Sequence, residues 1–278
     1  MTLQNTKIAF IGAGNMATAL IKGLIANGAT NNNIWAADSN PEQLTRLQSD
    51  TGINISADNN EAVSQADVVV LAVKPQVMAT VLTPLQETLE QHKPVLISIA
   101  AGISLQSLQQ WSSPTQAIVR CMPNTPALVQ AGASALYANA STSAAQKTLA
   151  EHVLAAVGSV CWLDEEKAID AVTALSGSGP AYFFLLMEAM QESAIGLGLS
   201  PENAQQLCLQ TAFGAAKLAL SSDVEVGELR RRVTSPGGTT EAALQQFEAD
   251  NFKTIVNNAL EKAASRSEEL SEILGSSK

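Results

Sequence analysis

The sequence predicts an α/β fold in which a doubly wound parallel sheet is followed by an all-helical domain. Two patterns predict it: short aliphatic runs alternate with helix-like segments in the first part of the chain, and helical periodicity alone follows Trp162. The chain has 278 residues, 46% of them hydrophobic and 15% charged, which suits about two globular domains. We place these domains at residues 1–162 and 163–278.

The candidate strands are continuous aliphatic or β-branched runs rather than alternating ones. Such runs suit strands that are buried on both faces, and the helices between them suit parallel crossovers. A further predicted helix, over residues 144–157, lies between the last two strands. In chain order, the predicted strands cover residues 8–11, 34–37, 68–73, 95–99, 117–120, 133–137 and 160–163.

Two long segments of the second domain carry apolar residues at helical spacing. Pro180 and Pro201 stand near their starts, and proline suits the first turn of a helix. Small residues within 213–217 permit close contact between helices. We expect this domain to pack against a second subunit; an internal bundle in a monomer is the alternative. The apolar positions include Phe183, Leu186, Met187, Met190, Ala204, Leu207, Cys208 and Leu218.

Composition and charge exclude several classes of protein. The 16 Lys and Arg against 26 Asp and Glu give a formal net charge of −10, and aromatic residues make up 4% of the chain, so nucleic-acid binding is not expected. The N-terminus has no signal-peptide pattern, and the aliphatic run 68–73 is too short to span a bilayer. The 3 cysteines have no CxxC spacing. We expect a cytoplasmic protein that does not enter a membrane.

A glycine-rich turn follows the first predicted strand. In the run GAGNMA at residues 12–17, Gly12 suits the tight turn, Gly14 lets the backbone approach a diphosphate, and Ala17 permits close packing of helix on strand. The N-terminus of the following helix offers free N–H groups and a positive dipole end to the phosphates. The turn therefore predicts dinucleotide binding, with a purely structural glycine turn as the alternative.

The end of the second predicted strand bears on the choice of dinucleotide. Asp38 stands where an acidic side chain commonly binds the ribose hydroxyls and disfavours a 2′-phosphate, which favours NADH. Ser39 and Asn40 supply a hydroxyl and an amide that suit a 2′-phosphate, and Asp38 also suits a helix cap before Pro41. The sequence therefore leaves NADPH and NADH both open.

Two more loops would complete a cleft at the carboxyl ends of later strands. Lys74, in the run AVKP at residues 72–75, either approaches the cofactor or is a solvated lysine before a helix. The run RCMPNTP at residues 120–126 carries the amide of Asn124 on a loop that two prolines make rigid. Both loops are candidate cofactor contacts.

The catalytic inventory is sparse. The chain has 2 histidines in separate segments, so a Ser-His-Asp triad, a His-rich metal site or a histidine general acid is not expected. It has no GxxxxGK[ST] run, so phosphoryl transfer on a P-loop is not supported. The reaction should need little acid–base machinery and no metal.

A second glycine-rich helix opening lies in the helical domain. The run VTSPGGTTE at residues 233–241 precedes an amphipathic helix, and the backbone N–H groups of Gly238, Thr239 and Thr240 would hold a carboxylate. A capped helix after a turn is the alternative. A similar run, SGSGPAY at residues 176–182, opens the first long helix of the domain.

Five runs, in this order across nearly the whole chain, resemble those of the pyrroline-5-carboxylate reductase family. The resemblance implies reduction of L-1-pyrroline-5-carboxylate to L-proline with hydride from NADPH or NADH, the last step of proline biosynthesis. It also implies a Rossmann domain followed by a helical dimerisation domain, a homodimer, and assembly of dimers into rings. The runs are GAGNM at 12–16, AVKP at 72–75, RCMPNTP at 120–126, SGSGPAY at 176–182 and TSPGGTT at 234–240.

The resemblance also implies roles for individual residues. Thr240 and Ser235 would be catalytic, with the Thr240 hydroxyl on the ring nitrogen, while Glu166, Gly238 and Thr239 would join Thr240 in binding the substrate. No metal is implied. The implied cofactor contacts are Gly12, Ala13, Gly14, Asn15, Met16, Asp38, Ser39, Asn40, Asn59, Val73, Lys74, Pro75, Ala100, Ala101 and Asn124.

Two residues depart from the family pattern. Arg232 stands where some relatives have a small amide, and Asp38 replaces polar neutral residues common in members that prefer NADPH. The number of dimers, inhibition by proline and the task of residues 230–232 are not determined by the sequence.

Two other functions are the alternatives. A β-hydroxyacid or 6-phosphogluconate-type dehydrogenase needs a lysine base on a central helix, where this chain has the run at residues 176–182 instead. A dinucleotide-sensing protein without catalysis would not need the intact turn at residues 238–240.

Overall fold

The computed structural model describes residues 3–275, which form two compact units. The first unit runs to Ser178 and takes up the chain again from Ala263, and the second unit is Gly179–Lys262. The sequence suggested one boundary, between residues 162 and 163, whereas the units divide the chain twice. A single domain boundary at that place stays a prediction.

The first unit is the predicted α/β fold, built on one eight-stranded sheet. Its strands are β1 (Ile8–Ile11), β2 (Ile34–Ala37), β3 (Asn54–Ser56), β4 (Val68–Leu71), β5 (Val95–Ser98), β6 (Ile118–Met122), β7 (Gly132–Ala138) and β8 (Gly158–Trp162). The strand order is β3-β2-β1-β4-β5-β6-β7-β8. Strands β1 to β6 are parallel, β7 is antiparallel to β6, and β8 is parallel to β7.

Helices cover both faces of the sheet and form the second unit. They are α1 (Asn15–Ala26), α2 (Pro41–Thr51), α3 (Asn59–Ser64), α4 (Met78–Leu82), α5 (Gln86–His92), α6 (Leu105–Trp111), α7 (Ala144–Ala155), α8 (Ala168–Val172), α9 (Gly179–Gly196), α10 (Pro201–Leu220), α11 (Val226–Arg232), α12 (Thr239–Ala249) and α13 (Phe252–Gly275). A π-helical turn, Thr173–Gly177, follows α8.

Each predicted strand is present, with ends that differ by at most two residues. Strand β3 was not predicted, because it is only 3 residues long and begins with a polar residue. It lies at the edge of the sheet, where a strand needs no continuous apolar run. The edge position of β3 therefore explains why its sequence carries no strand signal.

Burial on both faces explains the unbroken apolar runs of the central strands. In β1, Ile8 and Phe10 belong to the core beneath α1, α2 and α7, whereas Ala9 and Ile11 belong to the core beneath α3 to α6. All four side chains are buried. The two cores lie on opposite faces because successive side chains of a strand point to opposite sides.

The parallel strands bring their loops to one edge of the sheet. Because β1 to β6 run in the same direction, the chain leaves each of them at the same edge. The strand order reverses between β1 and β4, so the loops after these strands diverge there and leave a crevice. This is where ligands bind in open α/β sheets.

The second unit is helical and exposes much apolar surface. Helices α9 and α10 contact each other, and the Cys208 thiol donates to the Met187 carbonyl over 3.5 Å. Phe184 and Phe213 are nevertheless 64% and 61% exposed. The apolar stripes of these helices are thus not covered within the unit itself.

One helical stretch, Ala168–Gly196, is long and apolar enough to cross a membrane by length and composition alone. It is not an unbroken aliphatic run, because glycine, serine and alanine interrupt its larger apolar residues. Helices that pack in protein cores satisfy the same test, so this is weak evidence for a membrane span. The absence of a membrane segment stays a prediction.

Candidate active site

The turn after β1 requires glycine at its first position. Gly12 has a φ of +102°, and a Cβ placed on it would lie 2.6 Å from the carbonyl oxygen of Ala72. Its N–H donates to the carbonyl of Ala37 over 2.7 Å, which joins the ends of β1 and β2. Only glycine combines this backbone conformation with so close an approach.

The next glycine leaves the start of α1 open. Gly14 is the N-cap of α1, makes no side-chain capping bond, and would carry a Cβ with no atom within 4 Å. The N–H groups of Asn15 and Met16 point out of the first turn without intrahelical partners. An open, uncapped helix start with a positive dipole end suits a diphosphate.

Asp38 holds the glycine turn in place. Its Oδ2 accepts from the Ala13 N–H over 2.7 Å, and its Oδ1 accepts from the Asn40 N–H over 2.9 Å. The Asn40 side chain in turn caps α2, and the Gln43 amide donates to the Ala13 carbonyl. The loop at residues 38–40, which is expected to determine the preference for NADH or NADPH, therefore also stabilises the glycine turn that is expected to bind the dinucleotide.

The remaining predicted cofactor residues follow the next strands at the same edge. They are Ser39 after β2, Asn59 after β3, Val73, Lys74 and Pro75 after β4, and Ala100 and Ala101 after β5. Lys74 is exposed and has extended backbone directly before a short 3-10 turn, so its ammonium group is free to approach an anionic ligand. The sheet brings these residues to one edge; contact with a cofactor stays a prediction for each of them.

Asn124, after β6, uses both ends of its amide within the protein. Its Nδ2 donates to the Ser176 carbonyl over 3.0 Å, and its Oδ1 accepts from the Ala133 N–H over 2.8 Å. The end of β6 is also packed closely on the π-helical turn, since a Cβ on Gly177 would lie 2.5 Å from the Met122 side chain. One N–H of the Asn124 amide remains for a ligand.

Glu166 contacts strand β6 and the start of α6 within the first unit. Its Oε1 lies 2.5 Å from a guanidinium nitrogen of Arg120 and accepts from the Leu105 N–H over 2.7 Å. The substrate-binding role expected for Glu166 stays a prediction. The pairing of Arg120 with Glu166 was not predicted from the sequence. The signal for it was an arginine within the apolar strand β6, because a buried guanidinium needs a polar or charged partner.

The second unit carries the other predicted opening, at the start of α12. Gly238 is its N-cap and donates its N–H to the Ser235 carbonyl over 3.0 Å. Glu241 accepts from the Gly237 N–H over 2.7 Å. The N–H groups of Thr239 and Thr240 occupy the first turn, where they have no intrahelical partner. These two groups are the donors left for a carboxylate, and the N–H of Gly238 is engaged in the turn.

Residues 3–275 contain no group of three or more His, Cys, Asp or Glu side chains that could hold a metal ion.

Burial raises the pKa of the Cys121 thiol far above its ordinary value. A nucleophilic role for this thiol is therefore disfavoured.

Known proteins match the chain over nearly its whole length. Residues 166–270 match the family model described as pyrroline-5-carboxylate reductase dimerisation, and residues 7–102 match the model described as NADP oxidoreductase, coenzyme F420-dependent. The pyrroline-5-carboxylate reductase of Pseudomonas aeruginosa is 55% identical over 273 residues, covering 98% of this chain and 100% of that protein.

Solved structures agree with this match. The pyrroline-5-carboxylate reductase of Coxiella burnetii superposes with a TM-score of 0.93 at 44% identity, covering 96% of this chain and 98% of that chain. The pyrroline carboxylate reductase of Plasmodium falciparum, solved with NADP bound, gives a TM-score of 0.86 at 31% identity, covering 97% and 100%.

The parallel sheet, with its open glycine turn at the crevice, defines a dinucleotide-dependent oxidoreductase. The matches narrow that class. Because relatives of 55% and 43% identity cover 98% of its length, the chain belongs to the pyrroline-5-carboxylate reductase family. These matches support neither a hydroxyacid dehydrogenase nor a sensing protein without catalysis.

Proposed function

We propose that this protein reduces the C=N bond of L-1-pyrroline-5-carboxylate to give L-proline, with hydride from NADPH or NADH, as the last step of proline biosynthesis. The observation that carries the proposal is the match of 98% of the chain, including both helix openings, to a reductase of that name at 55% identity. The sparse acid–base inventory supports it, because a cyclic imine is already electrophilic.

The glycine turn fits the dinucleotide. The open space at Gly14 and the N–H groups at the start of α1 would hold the diphosphate, and Asp38 and Lys74 would stand near its outer groups. When bound, the nicotinamide supplies a hydride. The chain's own task is to fix its position, since orientation of the reacting groups is worth several kcal/mol in such reactions.

The second opening would bind the substrate. The N–H groups of Thr239 and Thr240, with the turn at Gly238, would hold the carboxylate, and the Thr240 hydroxyl would hold the ring nitrogen. Ser235 would be a second catalytic residue beside Thr240. The imine nitrogen can take up its proton from solvent before binding, so no strong protein acid is required.

The exposed apolar faces of α9 and α10 support a homodimer formed through the helical unit. Phe184 and Phe213 are more than half exposed in the chain, and such surface is normally covered by a partner. The match of residues 166–270 to a dimerisation model supports the same assembly. Rings of dimers, and a location in the cytoplasm, are further parts of the proposal.

Oxidation of NADPH or NADH in the presence of L-1-pyrroline-5-carboxylate, followed by absorbance, tests the proposed reaction. We expect turnover that depends on both compounds and yields proline. Reactions with a 3-hydroxy acid and oxidised cofactor serve as the control for the dehydrogenase alternative. Cofactor binding without turnover would contradict the proposal and favour a sensing protein.

A further inference from the structure

A buried arginine lies on strand β6 of the sheet. Arg120 is the third residue of β6, and its side chain is only 8% exposed. A buried guanidinium needs a charged or polar partner, because transfer of an unpaired charge from water is costly. Within residues 3–275, Glu166 is the only ion-pair partner of Arg120, at 2.5 Å.

On one neighbouring strand, β5, the residue opposite Arg120 does not pair with its charge. Ser98 on β5 is the register partner of Arg120, and its buried hydroxyl has no hydrogen-bond partner among the described residues. Glu166, by contrast, comes from the segment after β8, 46 residues further along the chain. The ion pair thus joins a distant segment of the chain to the sheet.

The same carboxylate oxygen also holds the start of a helix. The Oε1 of Glu166 accepts from the N–H of Leu105, the first residue of α6, over 2.7 Å. Ser104 caps the same helix by accepting from the Ser107 N–H over 3.1 Å. The start of α6 is therefore fixed by two acceptors, one of which belongs to a distant segment.

The turn between β5 and α6 lies at the ligand edge of the sheet. Gly102 in this turn has a φ of +73°, and a Cβ on it would lie 3.0 Å from the Leu274 side chain of α13. Ala100 and Ala101 precede it directly after β5. The turn is packed from one side by α13 and held at its helical end by Glu166, so its position depends on both.

We propose that Arg120 and Glu166 are positioning residues that hold the turn 99–104 in the place required by the cofactor. Glu166 acts through the Leu105 N–H and the Arg120 guanidinium, and does not bind the substrate. This proposal rests on the proposed function for its kinetic consequences, but its structural part concerns the protein without ligands.

Glu166→Gln and Arg120→Met test the proposal, alone and together. Glutamine keeps the size and one acceptor oxygen, and so guards against loss of the fold. Glu165→Gln is the matched control, because this neighbouring carboxylate is exposed and its ion-pair partner is the exposed Lys167, over 3.5 Å. Circular dichroism and dimer size identify any variant that does not fold.

The first measurement is amide hydrogen exchange of residues 99–108 in the protein without ligands. We expect the amide exchange rate of this segment to rise about tenfold in each single variant. The double variant should exchange no faster than the more affected single variant, and Glu165→Gln should exchange at the rate of the unchanged protein. Unchanged exchange in both single variants would overturn the proposal.

The second measurement distinguishes an effect on cofactor binding from an effect on substrate binding. We expect the Kd of NADH or NADPH, followed by fluorescence, to rise about fivefold in both single variants, while the KM for pyrroline-5-carboxylate stays within about twofold. A rise in that KM with Glu166→Gln alone, at unchanged cofactor Kd, would assign Glu166 to the substrate instead. If the unchanged protein did not reduce pyrroline-5-carboxylate, the proposed function would fall, but exchange and cofactor Kd would still decide the positioning role.

Discussion

The carboxylate of Asp38 accepts a hydrogen bond from the backbone N–H of Ala13 over 2.7 Å. One side chain therefore joins the end of β2 to the glycine turn after β1. Because its other oxygen accepts from the Asn40 N–H over 2.9 Å, the carboxylate is fixed at the edge where the adenosine ribose would lie. Its negative charge would be close to any 2′-phosphate.

Replacement of Asp38 by Asn should shift cofactor preference toward NADPH. Asparagine keeps an oxygen for the Ala13 N–H but removes the charge that repels a 2′-phosphate. We expect the ratio of kcat/KM for NADPH to that for NADH to rise about tenfold, or about 1.4 kcal/mol. Asp50→Asn, which removes an exposed carboxylate paired with Lys22 on the surface, is the control. An unchanged ratio would contradict this role.

Alanine at the two glycines of the turn should have different effects. Gly12→Ala should lower the free energy of unfolding by about 2 kcal/mol or more, because its Cβ would meet the Ala72 carbonyl. Gly14→Ala should change it by less than about 1 kcal/mol, yet weaken cofactor binding at least about tenfold by filling the open space there. Urea unfolding and fluorescence titration measure the two quantities. Equal losses of stability would argue against an open cradle at Gly14.

Replacement of Thr240 by Val should lower turnover without changing cofactor affinity. The change keeps the side-chain shape and removes the hydroxyl proposed to hold the ring nitrogen. We expect kcat to fall between about tenfold and a hundredfold, with the Kd of the cofactor unchanged. Thr148→Val, at an exposed position of α7, is the control. Wild-type turnover by Thr240→Val would refute the role.

Cys121 should resist alkylation while the protein is folded. Burial raises the pKa of its thiol, and the thiolate is the reactive form, so the folded state suppresses reaction through both access and ionisation. We expect its alkylation near pH 8 to be about a hundredfold slower than in urea, as followed by peptide mass mapping. Because the native state favours the neutral thiol, this contribution to stability is present below the ordinary thiol pKa and declines as pH rises above it. Rapid alkylation of folded protein would contradict the burial.

An acidic substitution on the exposed face of α10 should weaken assembly. Phe213 is 61% exposed in the chain, and an aspartate there would be desolvated in an interface. We expect Phe213→Asp to shift the mass measured by light scattering toward the monomer at micromolar concentration. Ser49→Asp, on the exposed side of α2 in the other unit, should leave the mass unchanged. An unchanged mass for Phe213→Asp would place the interface elsewhere.

Much of the sheet was predictable because its strands are buried on both faces. Their unbroken apolar runs identified seven strands to within two residues, and only the short polar edge strand β3 was missed. The glycine turn was equally readable, since the requirement for Gly12 arises from its own backbone and the next strand. Helices α9 and α10 were predicted correctly from the spacing of their apolar residues. The extent to which those residues are exposed is visible only in the tertiary structure.

The internal contacts of the candidate site were less readable. Asn124 and Asp38 were expected to face a ligand, and both are also engaged with backbone groups of the protein. The Gly238 N–H, expected to join a carboxylate site, donates within its own turn. Periodicity and motif spacing carry no information on such bonds, because they depend on side-chain rotamers and loop geometry.

The sequence by itself determined the fold class, the two glycine-rich helix openings and the family, since these depend on local backbone requirements and on residues close together in the chain. Only the tertiary structure decided that Glu166 reaches Arg120 and the Leu105 N–H, across 46 and 61 residues. The reason is physical: a buried charge selects its partner by the order and packing of strands, and that proximity has no counterpart in sequence spacing.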